Sequence, residues 1–453
     1  MSLRRIPGTS QQYFLVSYDK RGEEVLDADG TAASEEAIAA LTQPAAGVTD
    51  VFIISHGWQG DYDDAIRQYD RWIAAANPDT SSDGIRPFII GLHWPSKAWS
   101  DRELKSAPSG LLGDETESQP DAVTVDEAAA EYSAQLGDSP EVRQALTTIL
   151  AHAADIDPEQ DAAEGDELPS DVADAYRTIA ATLEPDDAEE PLLGAGWDPG
   201  AAFDEAVKAQ EDDGLLGDGW FRKLREAVLT PLRQLAFWQG KNQAREFGER
   251  GAASLVRRIM AASPARVHLM GHSFGTIVVS SAVRGPGSKP VPPPRPVSSL
   301  YLVQGAVSLW AFADDVPDSV GGGRGYLADV VTPRFVAGPI VATRSKWDYA
   351  VGRFYPLAVG VAGQYLLGDD LPKFGGIGTF GIQGVGGAVE LPPLRPNTRP
   401  PGDFAPSTVY NVDASAVIAK LDGASGAHND LAHPELVWLG WHAALSQAVG
   451  PHH

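Results

Sequence analysis

Residues 267 to 275 read Val-His-Leu-Met-Gly271-His272-Ser273-Phe274-Gly275, and Thr276-Ile-Val-Val-Ser-Ser-Ala-Val follows with helical apolar spacing. This order predicts a strand, a tight turn and a helix. A serine at the apex of such a turn takes a strained backbone, and glycines two places to either side let helix and strand approach where larger side chains would collide. Ser273 is therefore expected to stand at the end of a strand, above a sheet.

Other segments predict what that sheet contains. Gln12 to Tyr18 reads as a first strand, and Val48 to Ser55 and Pro87 to His93 as buried strands, by their short apolar runs. Asp63 to Ala76 sets Ile66, Tyr69, Trp72 and Ile73 at helical spacing between the latter two. Strand, helix, strand with short joints implies parallel pairing, because parallel neighbours need a crossover helix. The pattern resumes with a helix over Lys241 to Ala262, the Ser273 turn, strands at Ser299 to Val303, Arg334 to Thr343 and Ser407 to Val412, and a last helix at Glu435 to Ala448. Residues 352–406, rich in Gly and Pro, predict a long coil-like excursion.

The chain of 453 residues has a formal net charge of −27, and residues 101–220 hold 32 Asp and Glu against 5 Lys and Arg. The remainder holds 30 of each, so the whole excess lies in one acidic, Ala-rich stretch. Residues 97–240 are accordingly predicted to be a helical insertion, a candidate cap, between two core segments at 1–96 and 241–453. Within it, a helix over Trp220 to Phe237 is expected to kink at Pro231. A field of this sign disfavours nucleic acid and anionic membrane surfaces, which need basic patches. It suits a solvated helical surface that aids solubility, ahead of docking of a basic partner. No cysteine occurs, which removes disulfides, thiolate metal sites and cysteine nucleophiles. No metal-ligand spacing is present, and no metal is expected. Arg4 and Arg5 lead into the polar Gly8-Thr-Ser-Gln-Gln, where a secretory signal needs an apolar stretch, so a cytoplasmic location is the expectation. No stretch is apolar enough for an integral membrane segment, and oligomeric state is not legible.

A serine hydroxyl becomes a nucleophile when an imidazole takes its proton, and the imidazole needs a carboxylate to hold its tautomer and stabilise its charge. Asp348 follows the strand ending at Thr343 by a few residues; its other roles would be a helix cap or an ion pair, and Asp314 and Asp315 are the fallback acids. His428 lies in Gly426-Ala427-His428-Asn429-Asp430, between the last strand and the last helix. His433 reads instead as a helix-start residue, and His442 as a packed or surface residue of that helix. The oxygen that becomes negative during attack needs two backbone N–H donors. One is Phe274, after the serine; the other belongs to Ser55-His56-Gly57-Trp58, with Trp58 N–H as donor and Gly57 N–H as the alternative.

His56-Gly57-Trp58, Gly271-His-Ser-Phe-Gly275, Asp348 and His428 together resemble the α/β-hydrolase superfamily, in its serine esterase and lipase-like members. The resemblance covers residues 12–96 and 241–450. It implies a doubly wound, mostly parallel sheet, the chain order Ser, Asp, His on loops at its carboxyl edge, and acyl transfer through an acyl-serine with no cofactor. Ser273, Asp348 and His428 would be catalytic, Phe274, Trp58 and Gly57 the oxyanion donors, and His56, His272 and Trp347 substrate contacts. The expected activity is hydrolysis of carboxylic esters, small-molecule or lipid. A lipase or phospholipase with 352–406 as an apolar flap, an amidase, and a non-enzymatic scaffold whose insertion docks a basic partner are the alternatives. Lids in the superfamily more often follow the strand after the nucleophile helix, whereas this insertion precedes the nucleophile strand.

Overall fold

The computed structural model describes residues 2–57, 62–76, 85–96, 123–156, 167–183, 197–211, 219–320, 322–354, 371–372, 375–399, 403–422 and 425–446. The elements in chain order are β1 (Leu3–Arg5), β2 (Gln12–Ser17), α1 (Ala33–Leu41), β3 (Asp50–Ser55), α2 (Tyr62–Ala76), β4 (Pro87–His93), α3 (Val125–Leu136), α4 (Pro140–Asp155), α5 (Ser170–Leu183), α6 (Pro199–Glu211) and α7 (Gly219–Phe247). A π-helical turn at Gly248–Ala252 leads into α8 (Ala253–Ala262). Then follow β5 (Arg266–His272), α9 (Gly275–Arg284), β6 (Ser299–Val303), β7 (Ile340–Arg344), α10 (Ile377–Phe380), β8 (Val389–Leu391), β9 (Val409–Asp413) and α11 (Pro434–Leu445).

Among the described residues the strands form one nine-stranded sheet in the order β1-β2-β4-β3-β5-β6-β7-β9-β8. Every pairing is parallel except β1 with β2. The fold is thus mixed α/β around one mostly parallel sheet, with β5 in the middle. Helix α2 buries Ala65, Ile66, Tyr69, Trp72 and Ile73, a stripe of helical period, and shares an apolar cluster with Ile54, Tyr301, Val341 and α11 residues Leu436, Val437 and Leu439. The residues that alternate with these along the strands, Val51, Ile53, Val267, Leu269, Leu300 and Leu302, are also buried, as central parallel strands covered on both faces must be. Helix α9 packs on β3, β5 and β6 and is buried along its whole length.

Several boundaries differ from expectation. Helix α7 runs through Pro231 and through Gly240 to Phe247, where a break was expected near 240. The π turn that follows brings Gly248 so close to α9 that a Cβ there would lie 2.5 Å from the Val278 carbonyl oxygen. Strand β7 begins only at Ile340, because Pro339 has no N–H to add to the ladder. Residues 352–406, read as coil, contain α10 and the edge strand β8, which pairs with β9. The Asn411 side chain fastens this region: its Oδ1 accepts from Ile382 N (2.8 Å) and its Nδ2 donates to Ile382 O (2.9 Å) and Glu390 Oε1 (2.7 Å).

By internal contacts the chain divides into two compact units, one holding Met1–Ser96, Lys241–Tyr355 and Gly368–His453, the other built on Lys97–Gly240. The second is helical and has its own core, with Leu146, Ile149, Tyr176, Ile179, Val228 and Leu232 buried. Its helices start on local signals: Thr124 and Glu127 form a capping box on α3, and Ser139 caps α4 ahead of Pro140. Trp197 Nε1 donates to Gln234 Oε1 (2.9 Å) and Arg225 Nε to Ala153 O (2.9 Å). Among the described residues no helix is long and apolar enough to cross a membrane.

Candidate active site

The turn between β5 and α9 has the predicted strain. Ser273 has φ +53°, in the left-handed region where a side chain costs about 1–2 kcal/mol. Its glycines are required for closeness: a Cβ on Gly271 would lie 2.2 Å from Gly275 O, and one on Gly275 2.3 Å from Ser55 O. Backbone bonds hold the serine on both sides. Its N–H donates to Val303 O (3.1 Å), and its carbonyl accepts from Thr276 N (3.1 Å), Thr276 Oγ1 (2.6 Å) and Ala306 N (3.2 Å).

The candidate acid and the candidate base meet. His428 Nδ1 lies 3.0 and 2.9 Å from Asp348 Oδ1 and Oδ2, with Asp348 1 % and His428 7 % exposed. Their loops are laced together, since Ala427 N donates to Trp347 O (2.7 Å) and Asp348 bridges Gly426. Gly426 has φ +63°, and a Cβ there would sit 2.3 Å from Trp347 O. Facing a carboxylate, Nδ1 carries the imidazole proton, which leaves Nε2 as the basic nitrogen. Among the described residues the Ser273 hydroxyl makes no hydrogen bond. Val351 N also donates to Asp348 Oδ1 (3.0 Å), so the aspartate begins the following turn as well.

His272 links the serine turn to the base loop. Its ring is 4.9 Å from that of His428, its Nε2 pairs with His428 O (3.1 Å), and its Nδ1 pairs with Gln68 Nε2 (3.1 Å) on α2. The partners set the tautomer: Nε2 donates to the carbonyl and Nδ1 accepts from the amide. Burial first, then the neighbouring His428, hold its pKa well below 6.5, against the opposing hydrogen bond to the His428 carbonyl. His56 is likewise turned to the backbone. Its Nδ1 pairs with Gly57 O (2.8 Å) and its Nε2 accepts from Trp94 N (3.3 Å). Burial, with His93 nearby as the second cause and the Gly57 bond opposing, pushes its imidazole down to about 3. Both ring nitrogens are thus committed, and Trp94 stacks on the ring with 5.6 Å between centroids.

Gly57 lies against the serine: a Cβ there would be 2.7 Å from Ser273 Cβ. The backbone of this loop therefore closely approaches the Ser273 side chain. Trp58 lies outside the described residues. Phe274 caps α9 with its side chain buried. Trp347 packs against the apolar cluster beneath α2 and α11, with Lys346 Nζ 4.7 Å over its ring. Of the fallback acids, Asp314 faces Arg324 at 3.6 Å; His433 stands at the start of the last helix as read from the sequence, and pairs with Asp430 at 2.9 Å.

One contributor carries no sequence signal of its own. Gln304, directly after β6 and fully buried, donates from Nε2 to Asp348 Oδ2 (2.8 Å). Its position at the carboxyl end of the strand beside β5 was the only available hint. Comparison of the chain with protein-family models, with curated proteins and with solved structures finds no match in any of the three.

Proposed function

We propose that the protein is a serine hydrolase of α/β-hydrolase architecture that cleaves carboxylic esters through an acyl-serine. The observation that carries this reading is the left-handed backbone of Ser273 between two obligatory glycines. Strain of this kind in a non-glycine residue persists where the surroundings over-determine it, and it clusters at functional sites. The buried Asp348–His428 pair, its loop tied to the serine turn through His272, supports the same reading.

In the proposed cycle Ser273 Oγ attacks the ester carbonyl carbon while its proton passes to His428 Nε2. Asp348 stabilises the resulting imidazolium at Nδ1. The carbonyl oxygen becomes negative and accepts from the Phe274 N–H and from an N–H of the Gly57–Trp58 loop. The C–O bond to the alcohol then breaks, His428 protonates the departing alkoxide, and the acyl group remains on Ser273. A water activated by His428 repeats the sequence and releases the carboxylic acid.

Intact-mass measurement after incubation with a fluorophosphonate tests the reading. One adduct on the wild type, absent from Ser273→Ala, is expected, with ester hydrolysis falling about 10⁴-fold or more in Ser273→Ala and His428→Gln. A folded wild type that takes no adduct and cleaves no nitrophenyl ester of any acyl length would refute it.

A further inference from the structure

We infer that Gln304 is a positioning residue of the proposed triad, fixing the Asp348 carboxylate to the same stretch of backbone that holds Ser273. The inference rests on the hydrolase reading above and adds a fourth side chain to it.

Gln304 has φ +45°, a second non-glycine residue in the left-handed region at this edge of the sheet. A glycine would adopt that conformation without strain, yet the position carries a long side chain, and every polar atom of it is used. Nε2 donates to Asp348 Oδ2 (2.8 Å) and to Gly378 O (3.2 Å), and Oε1 accepts from Thr343 Oγ1 (3.2 Å). Because a carboxylate only accepts, the orientation of the amide follows. With Val351 N on Oδ1 and Gln304 Nε2 on Oδ2, each Asp348 oxygen is anchored, and the carboxylate cannot rotate away from His428.

The backbone on either side of Gln304 does the complementary task. Val303 O accepts from Ser273 N, and Ala306 N donates to Ser273 O. Gly305 O accepts from Gly378 N (2.9 Å), and Gly378 O also accepts from Ser345 N (2.8 Å) in the acid loop. Residues 303–306 therefore register the nucleophile turn against the acid, and the strained backbone at 304 aims the carboxamide.

The test is the rate of fluorophosphonate inactivation and the kcat and KM for a nitrophenyl ester, in wild type, Gln304→Gly, Asp348→Asn and the double variant. Gln304→Gly relieves the backbone strain, so a folded protein is expected; Gln304→Glu, isosteric, serves as the second variant. Misplacement of a catalytic group by about 1 Å costs up to about 10²-fold. The expected result is a fall in kcat and labelling rate of about 10-fold or more in Gln304→Gly and Gln304→Glu, with KM little changed. In the Asp348→Asn background Gln304→Gly should add less than about twofold, since the two act as one unit. Wild-type rates in both Gln304 variants, or the same loss with and without Asp348, would overturn the inference while leaving the hydrolase reading in place. A wild type that is not labelled at all would overturn both.

Discussion

At Ser273 a single residue joins stored strain to proposed chemistry. Replacing it by alanine removes the hydroxyl and keeps the strained φ, whereas glycine removes both. Relief of the left-handed penalty of about 1–2 kcal/mol, set against the about 0.5–1 kcal/mol of conformational entropy that glycine loses on folding, is expected to leave Ser273→Gly more stable than Ser273→Ala by about 1 kcal/mol. Paired urea titrations measure the difference, and equal midpoints would contradict it. Gly275 behaves in the opposite sense. A methyl group there meets the Ser55 and His56 carbonyl oxygens, which belong to backbone that cannot swing aside. The serine and its glycines are legible in the amino-acid order because local geometry alone demands them. His428 and Asp348 are legible as candidates because each follows a strand end. Gln304 is not, since its partner lies 44 positions along the chain and nothing about glutamine announces a role. His56 shows a related limit: its place on the early loop could be read, but its ring is consumed by Gly57 and Trp94.

Among the elements, the strand starts on the side of the sheet opposite Ser273 carry a second buried network. Asp50 of β3 takes Arg266 Nε and Nη2 (2.7 and 2.9 Å), His268 Nε2 (2.9 Å) and Thr49 Oγ1 (2.6 Å), and His268 Nδ1 pairs with Ser299 Oγ (2.8 Å). Burial alone would raise the Asp50 pKa, but the bonds from His268, Arg266 and Thr49 outweigh it and hold the carboxyl below its usual range. Asp50→Asn leaves Arg266 without its charge partner and weakens the acceptor of His268 Nε2, and should destabilise by about 3–5 kcal/mol, read as a lowered Tm. A depressed carboxylate stabilises above its unfolded pKa, so this contribution disappears as pH falls below about 3.8 towards the folded value, and the variant should show less acid sensitivity there. The buried strands β3, β4, β5 and β6 could be read from apolar runs. Strands β1 and β8 could not, being three residues long with Arg4, Arg5 and Glu390 among them. Such edges form only because a longer neighbour is there to pair with.

For the whole molecule, His56, His268 and His272 are buried and held neutral, each with a pKa below the ordinary 6.5. A histidine depressed by folding favours the native state above its unfolded pKa, and that contribution is lost as pH falls through 6.5 and below, because the unfolded chain takes up the protons. Tm is thus expected to drop between pH 7 and 5, and His272→Gln should flatten the slope. The scan belongs in high salt, which screens the acidic excess whose self-repulsion changes over the same range. A pH-independent Tm would show that these rings are not held neutral. The central position of β5 also bears on assembly. Its neighbour β3 ends at Ser55, and β5 itself starts at Arg266. Loop-closure entropy grows only with the logarithm of length, so widening that gap from about 70 to about 210 residues costs roughly 1 kcal/mol. A long segment between two adjoining strands therefore leaves the equilibrium stability of the sheet almost untouched, and its main effect falls on how long the central ladder takes to close.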